Sequence, residues 1–315
     1  MRIDMVRINL RQSTSIRWMS AIVLIAGAAT PALCWWGVGH NVLTKAAVRA
    51  LPADMPAFFR AAEIAIAHCS VDPDVVKNTA TPQLKDTESP EHYLDAELLR
   101  GAALPATRYA YVRLCDSLHV RPETVGFLPY AVAEWTERLA VALAEYRKWP
   151  DNAPVQTKCL VYAGILSHYA EDLCQPLHVT VDFDGRARAD NSSPRSGIHN
   201  KVDGLVEVLK LSPDSLATKQ TPHSTDSLMP WIVARIGSSR AEIDSTYALE
   251  KPLMAQKSEK PDPRVARFAN RRAREAVGCT ASLYLTAWKL SSTIKLDGWL
   301  DRAALDASSS AGPVR

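Results

Sequence analysis

The sequence contains no C-x-x-C pair, no internal repeat, no low-complexity linker and few stretches that alternate like strands. Without C-x-x-C pairs, the common cysteine-framed zinc sites are excluded. Without a repeat or linker, nothing divides the chain into a solenoid or tethered domains. A membrane-spanning run is missing from the start: residues 21–29 are apolar but interrupted by Gly27, well short of the roughly 20 residues a span needs. A surplus of one charge is also lacking. The chain has 37 basic and 34 acidic residues, and residues 1–34 hold four of the basic and one of the acidic ones. The remainder is balanced, which excludes a protein that holds nucleic acid by bulk positive charge. Any polyanion must be held by a local site.

What is present at the start is a leader. Arg2, Arg7, Arg11 and Arg17 precede the apolar run, and Pro31, Ala32 and Cys34 follow it, with small residues three and one before a cut. Residues 1–34 are therefore expected to be a secretory signal peptide. The mature chain would begin at Trp35 and work in the periplasm or the extracellular medium. A lipoprotein route would instead keep Cys34 and acylate it, but Leu33 is a poor match to the small residue that route prefers. Cys69, Cys115, Cys159, Cys174 and Cys279 remain after the cut. An oxidising compartment permits two disulfides with one thiol left over, and the pairing stays open.

Beyond the leader the periodicity is helical. Apolar residues recur at three-and-four spacing over residues 40–51, 56–67, 128–146, 155–173, 200–211 and 265–290. The stretch 155–173 is the most apolar and is expected at the centre of the core. The last stretch carries Arg267, Arg271, Arg272 and Arg274, expected as a solvated face. Residues 71–91, 182–196 and 212–226 read as polar loops. The expected fold class is all-α, a single compact multi-helix domain over residues 35–300, with residues 301–315 a disordered tail.

The candidate chemistry lies in histidine–carboxylate pairs. His168 and Asp172 are four apart in the most apolar stretch, so they share one helical face and can reach one metal. His178 follows ten residues after His168, with Pro176 between them to redirect the chain. His199 and Asp203 repeat the four-residue spacing after Gly197. His92 sits in Pro90-Glu91-His92-Tyr93-Leu94-Asp95, preceded by Asp72-Pro73-Asp74, and His40 lies close to the new terminus in Trp35-Trp36-Gly37-Val38-Gly39-His40. Taken singly, these pairs have bland readings: a buried His–Asp hydrogen bond, a capped surface helix, a polar loop. Together they are harder to dismiss, because five of the eight histidines fall in such settings. His68, His119 and His223 do not, and are read as ordinary, partly exposed histidines.

In their order, Trp35, His40, Asp74, His92, His168, Asp172, His178, His199 and Asp203 resemble the trinuclear-zinc superfamily of single-strand nucleases (the S-one/P-one type) and bacterial zinc phospholipases C. The resemblance covers residues 35–203. It implies three Zn2+ ions. Asp74, His92, His168 and Asp172 would hold one, and the amine and carbonyl of Trp35 with His40 and Asp172 a second, Asp172 bridging the two. His178, His199 and Asp203 would hold the third. It also implies catalytic parts for Asp74, Asp172 and Lys77, with a hydroxide between two zinc ions attacking phosphorus. Asp72 competes with Asp74. Asp74 is preferred because Lys77 then falls where the nucleases carry a phosphate-binding arginine, although lysine lacks the planar fork. Trp36 stands where glycine is usual.

The resemblance also bears on substrate. Tyr93 and Asp95 stand where the nucleases stack on a base and hydrogen-bond it, and Asp203 is the nuclease-like residue where phospholipases have glutamate. The favoured expectation is an endonuclease on single-stranded DNA or RNA leaving 5′-phosphates. A phospholipase C acting on phospholipid head groups is the alternative, and a non-catalytic zinc-stabilised binding protein the second alternative. No protein partner is implied, and a monomer is expected.

Overall fold

In the computed structural model, residues 35–255 and 261–304 are described. The signal-peptide expectation for residues 1–34 and the tail expectation for 305–315 lie outside them. Among the described residues there is no strand, only an isolated bridge between Phe183 and Gly185. The fold is all-α, as expected, and no described helix is long and apolar enough to cross a membrane.

The chain opens with α1 (Gly37–Arg49), and the predicted helix over 56–67 appears as two, α2 (Ala57–Ala61) and α3 (Glu63–Cys69). The break falls at Ala62, whose φ of −102° and ψ of 27° leave the helical region. The predicted loop over 71–91 contains α4 (Asp72–Val75), α5 (Pro82–Glu88) and a 3-10 turn, Ser89–His92. These pieces are too short to show a periodicity. A second 3-10 turn, Ala96–Leu99, leads to α6 (Arg108–Ser117) and α7 (Pro122–Val125).

The long helices α8 (Leu128–Lys148) and α9 (Ala153–Asp172) follow the predicted stretches closely. Asn152 caps α9, its side chain accepting from Val155 N at 3.0 Å, and Pro154 sits in the first turn where no donor is lost. The helix ends before Pro176, so the chain stops and restarts rather than kinking. Pro176–His178 form a separate 3-10 turn.

The predicted helix over 200–211 is again two, α10 (Ile198–Asp203) and α11 (Leu205–Val208), separated at Gly204. A side chain at Gly204 would stand 3.0 Å from the Trp36 indole, so the break is where the N-terminal segment docks. Then come α12 (Pro213–Ala217), inside a predicted loop, α13 (Leu228–Arg240), α14 (Ile243–Ala248), α15 (Glu250–Met254) and α16 (Pro263–Ser291). Residues 302–304 continue as a helical turn, with Arg302 Nε donating to Glu145 Oε2 at 2.6 Å, so the start of the predicted tail is ordered.

Helix α9 lies at the centre, against α8, α16, α3 and α1. Leu166, Ala163, Ala170 and Cys159 on it are fully buried. Each buried large aliphatic side chain is worth about 1.5–3 kcal/mol, which explains why the most apolar stretch is the axis. The basic side of α16 is only partly a solvated face. Arg267 and Arg271 are exposed, but Arg272 is buried and Arg274 donates to the carbonyls of Ser215, Leu216 and Thr218 at the end of α12. The five described cysteines are free thiols, and Cys279 lies against Cys174.

Candidate metal centre

The C-terminal turns of α9 bring His168 and Asp172 onto one face, both with no exposed surface. His168 Nδ1 donates to Ser70 O at 2.8 Å, which directs Nε2 the other way. There it lies 3.0 Å from His92 Nδ1, 3.4 Å from Asp172 Oδ2 and 3.8 Å from Asp74 Oδ1. His92 Nδ1 is 3.2 Å from the same Asp172 oxygen and 4.0 Å from Asp74 Oδ1. Asp74, His92 and His168 thus form one cluster that can hold a metal. Asp74 is the member of its Asp-Pro-Asp run that converges here. Lys77 Nζ reaches Asp74 Oδ1 at 2.6 Å and holds that carboxyl below its usual range against the opposing effect of burial.

The other Asp172 oxygen faces a second cluster. His40 Nε2 is 3.6 Å from Asp172 Oδ1, and the His40 ring stacks on His168 with centroids 3.9 Å apart. Asp172 therefore lies between the two groups, one oxygen toward each. Trp35 is fully buried against α9, its Nε1 donating to Glu171 O at 3.1 Å, one residue from Asp172. Trp36 ties the same segment to α10 through Nε1–H to Asn200 Oδ1 at 3.0 Å.

The third cluster is His178, His199 and Asp203. His178 Nδ1 donates to His92 O at 2.8 Å, and His199 Nδ1 to Phe183 O at 3.1 Å. In the neutral rings both Nε2 atoms are then lone pairs, and they face each other at 3.1 Å. Asp203 Oδ2 lies 3.0 Å from His199 Nε2, and Oδ1 lies 3.8 Å from His178 Nε2. Gln175 Nε2 donates to Asp203 Oδ1 at 2.7 Å and fixes the carboxylate.

Burial holds the His40, His92 and His168 imidazoles well below their ordinary pKa, so they are neutral and suited to binding a cation. Burial lowers His199 too, but the Asp203 carboxylate more than offsets this and leaves it above its ordinary value. Asp203 itself is pushed up by burial, and the His199 and His178 rings outweigh this to hold it at about 2. The fit to a metal rests on geometry. His40 Nε2 is buried without a hydrogen-bond partner, and two imidazole lone pairs 3.1 Å apart repel unless a cation or proton lies between them.

Asp95 lies within electrostatic reach of His199 in the third cluster. The Tyr93 hydroxyl donates to Glu123 O at 2.8 Å, and Gly126, at φ +99°, comes so close that a Cβ there would lie 2.8 Å from the Tyr93 ring. The ring is a packed aromatic. Burial, with Glu97 nearby, pushes the Asp95 carboxyl up to about 7. His68, His119 and His223 are exposed and away from the clusters, as expected.

Several contributors carry no metal-site signature in the sequence. Glu171 accepts from His40 Nδ1 at 2.6 Å and from Thr44 Oγ1 at 2.9 Å. Glu88 lies 3.5 Å from His92 Nε2 and accepts from the Tyr169 hydroxyl. Glu171 had one available signal, a carboxylate inside the most apolar helix.

No family model matches the chain, and no curated protein does. Among solved structures, the alpha toxin of Clostridium absonum is similar over 82% of this chain and 65% of the toxin, with 14% identity and a TM-score of 0.43. The alpha toxin of Clostridium perfringens from avian strain SWCP is similar over the same shares, 82% and 65%, with 11% identity and a TM-score of 0.39. The chain thus spans 65% of the length of either toxin.

Proposed function

We propose that the chain is a secreted, zinc-dependent hydrolase of phosphodiester bonds that holds three zinc ions. The observation that carries the reading is the pairing of bare imidazole nitrogens, each aimed by a carbonyl behind it, around carboxylates with no exposed surface. Neutral imidazole and carboxylate are the ligand set that zinc favours. Asp74, His92 and His168 would hold one ion, His178, His199 and Asp203 another. Trp35 and His40 would hold the third, with Asp172 shared between that ion and the first. Zinc in such a setting supplies Lewis acidity and lowers the pKa of water, the chemistry needed at phosphorus. The chain's own part is to orient the ligands and to keep a compensating cation at Lys77. Asp74 and Lys77 are 12% and 13% exposed, whereas Asp172 and Asp203 are not exposed at all.

For the substrate we place phospholipid ahead of single-stranded nucleic acid, reversing the order the sequence favoured. That order leaned on Tyr93 and Asp95 as base contacts and on Asp203 in place of glutamate, and the Tyr93 hydroxyl is engaged by Glu123 and its ring backed by Gly126. A nucleic-acid strand also needs a cationic track. Lys77 beside the first cluster is already paired with Asp74, and Glu88 and Asp95 add carboxyls around the centre. A single head-group phosphodiester needs only the charge concentrated at the centre.

The test is to give zinc-loaded protein beginning at Trp35 both phosphatidylcholine and single-stranded DNA, with metal analysis of the same sample. Release of phosphocholine, abolished by chelation, is expected. Cleavage of DNA alone would restore the nuclease reading. Bound zinc with neither substrate hydrolysed would favour a non-catalytic zinc-stabilised protein.

A further inference from the structure

The four histidines whose second nitrogen is engaged do not share one kind of acceptor. His168, His178 and His199 donate to the backbone carbonyls of Ser70, His92 and Phe183. Of the four, His40 hydrogen-bonds a carboxyl group through that nitrogen, Glu171 Oε2 at 2.6 Å, with both side chains fully buried. We propose that Glu171 is the positioning residue of the His40 zinc site, holding the ring proton on Nδ1 and thereby aiming the Nε2 lone pair at the ion shared with Asp172. The proposal rests on the zinc reading above.

Three observations support it. First, Glu171 occupies a costly place for a carboxylate, in the middle of the core, and among the described residues no lysine or arginine pairs with it. Its side-chain partners are His40 and Thr44, one helical turn apart on α1. Secondly, the side chain grips α1 at those two points while its neighbour Asp172 turns an oxygen toward His40 Nε2. The backbone carbonyl of Glu171 also receives the Trp35 indole N–H at 3.1 Å. One residue therefore touches each chain segment that would meet this ion. Thirdly, the His40 ring is already fixed in plane by stacking on His168, with 23° between the rings. What remains free is which nitrogen carries the proton. Binding through Nε2, 3.6 Å from Asp172 Oδ1, requires the proton on Nδ1, on the line to Glu171. An acceptor behind the ring also raises the basicity of the imidazole as a ligand. This site has the fewest side-chain ligands of its own, so that help counts most here.

The experiment combines zinc titration with ring-nitrogen NMR. In the Glu171→Leu protein, chelator competition should show one of three zinc ions weakened by about 10–100-fold with the other two unchanged. Glu171→Gln, which keeps an acceptor oxygen but not the charge, should lie between native and Leu. In the native zinc-loaded protein, long-range ¹H–¹⁵N spectra should show His40 protonated at Nδ1, and this arm does not depend on the variants folding. Native affinity for all three ions in Glu171→Leu would overturn the proposal. So would an equal weakening of all three, or a His40 ring protonated at Nε2. Absence of zinc from the native protein would sink the parent reading and this one with it. Zinc present in the native protein and unaffected in both variants would sink this one alone.

Discussion

At the residue scale, Asp172 and Asp203 hold similar places four residues after a histidine, yet the structure separates their roles. Asp172 turns one oxygen toward His92 and His168 and the other toward His40 and His178, whereas Asp203 meets His178 and His199 of one cluster and is held by Gln175. Asp172→Asn is therefore expected to reduce bound zinc at two sites and Asp203→Asn at one. The activity loss for Asp172→Asn should exceed both that of Asp203→Asn and the roughly 10–100-fold typical of outer-shell partners. Equal zinc contents in the two variants by metal analysis would count against the shared ligand. Asp203 also predicts a pH effect in the metal-free protein. Its folded pKa of about 2 lies below an unfolded value near 3.9. The stabilisation is thus fully present above about pH 4 and lost as pH falls through 2, an effect on the order of 2 kcal/mol. Thermal melts of metal-free native protein and Asp203→Asn should converge over that window, and parallel melting curves down to pH 2 would contradict the linkage. The i,i+4 pairs behind these predictions were legible in the sequence. Glu171 was not, because its partner His40 stands far away along the chain and no local spacing marks the contact.

At the element scale, the centre depends on α3 and α4 meeting α9 closely enough for Ser70 and Asp74 to reach His168. Gly164 makes that approach feasible: a Cβ there would stand 2.5 Å from Cys69 Cβ and 2.6 Å from Ile66 O, backbone that cannot swing away. Gly164→Ala is expected to destabilise the protein by about 1–3 kcal/mol, as overpacking does. It should also weaken zinc binding, because Ser70 and Asp74 lie just beyond the displaced helix. A melting temperature equal to native would refute the tight contact. The long helices α8, α9 and α16 were legible from periodicity to within a few residues. The breaks at Ala62 and Gly204 were not. At Gly204 the break accompanies the docking of Trp36, which belongs to a segment far away in the chain. α4 and α5 escaped because four to seven residues of Asp, Pro, Thr and Lys show no apolar period.

For the whole molecule, the core contains a costly inclusion. His40, His92, His168, Asp172, His178, His199 and Asp203 are all buried, and several face like groups. Removing zinc should therefore destabilise the entire fold rather than the centre alone. Chelation is expected to lower the melting temperature cooperatively, and zinc at a hundred times its dissociation constant should return about 2.7 kcal/mol per site. A melting temperature indifferent to chelator would mean that the polar interior is stable without metal.

By itself, the sequence determined the all-helical class, the apolar axis helix and the two His–x–x–x–Asp faces. These depend on spacings within one or two turns, which the backbone converts directly into shared faces. Only the tertiary structure decided that Asp74 rather than Asp72 meets His92 and His168, that Asp172 stands between two clusters, that Tyr93 is packed against Gly126, and that Glu171 backs His40. Each of those is a contact between segments distant in the chain. Such contacts follow from how the helices fill a common core, and no local pattern encodes that packing.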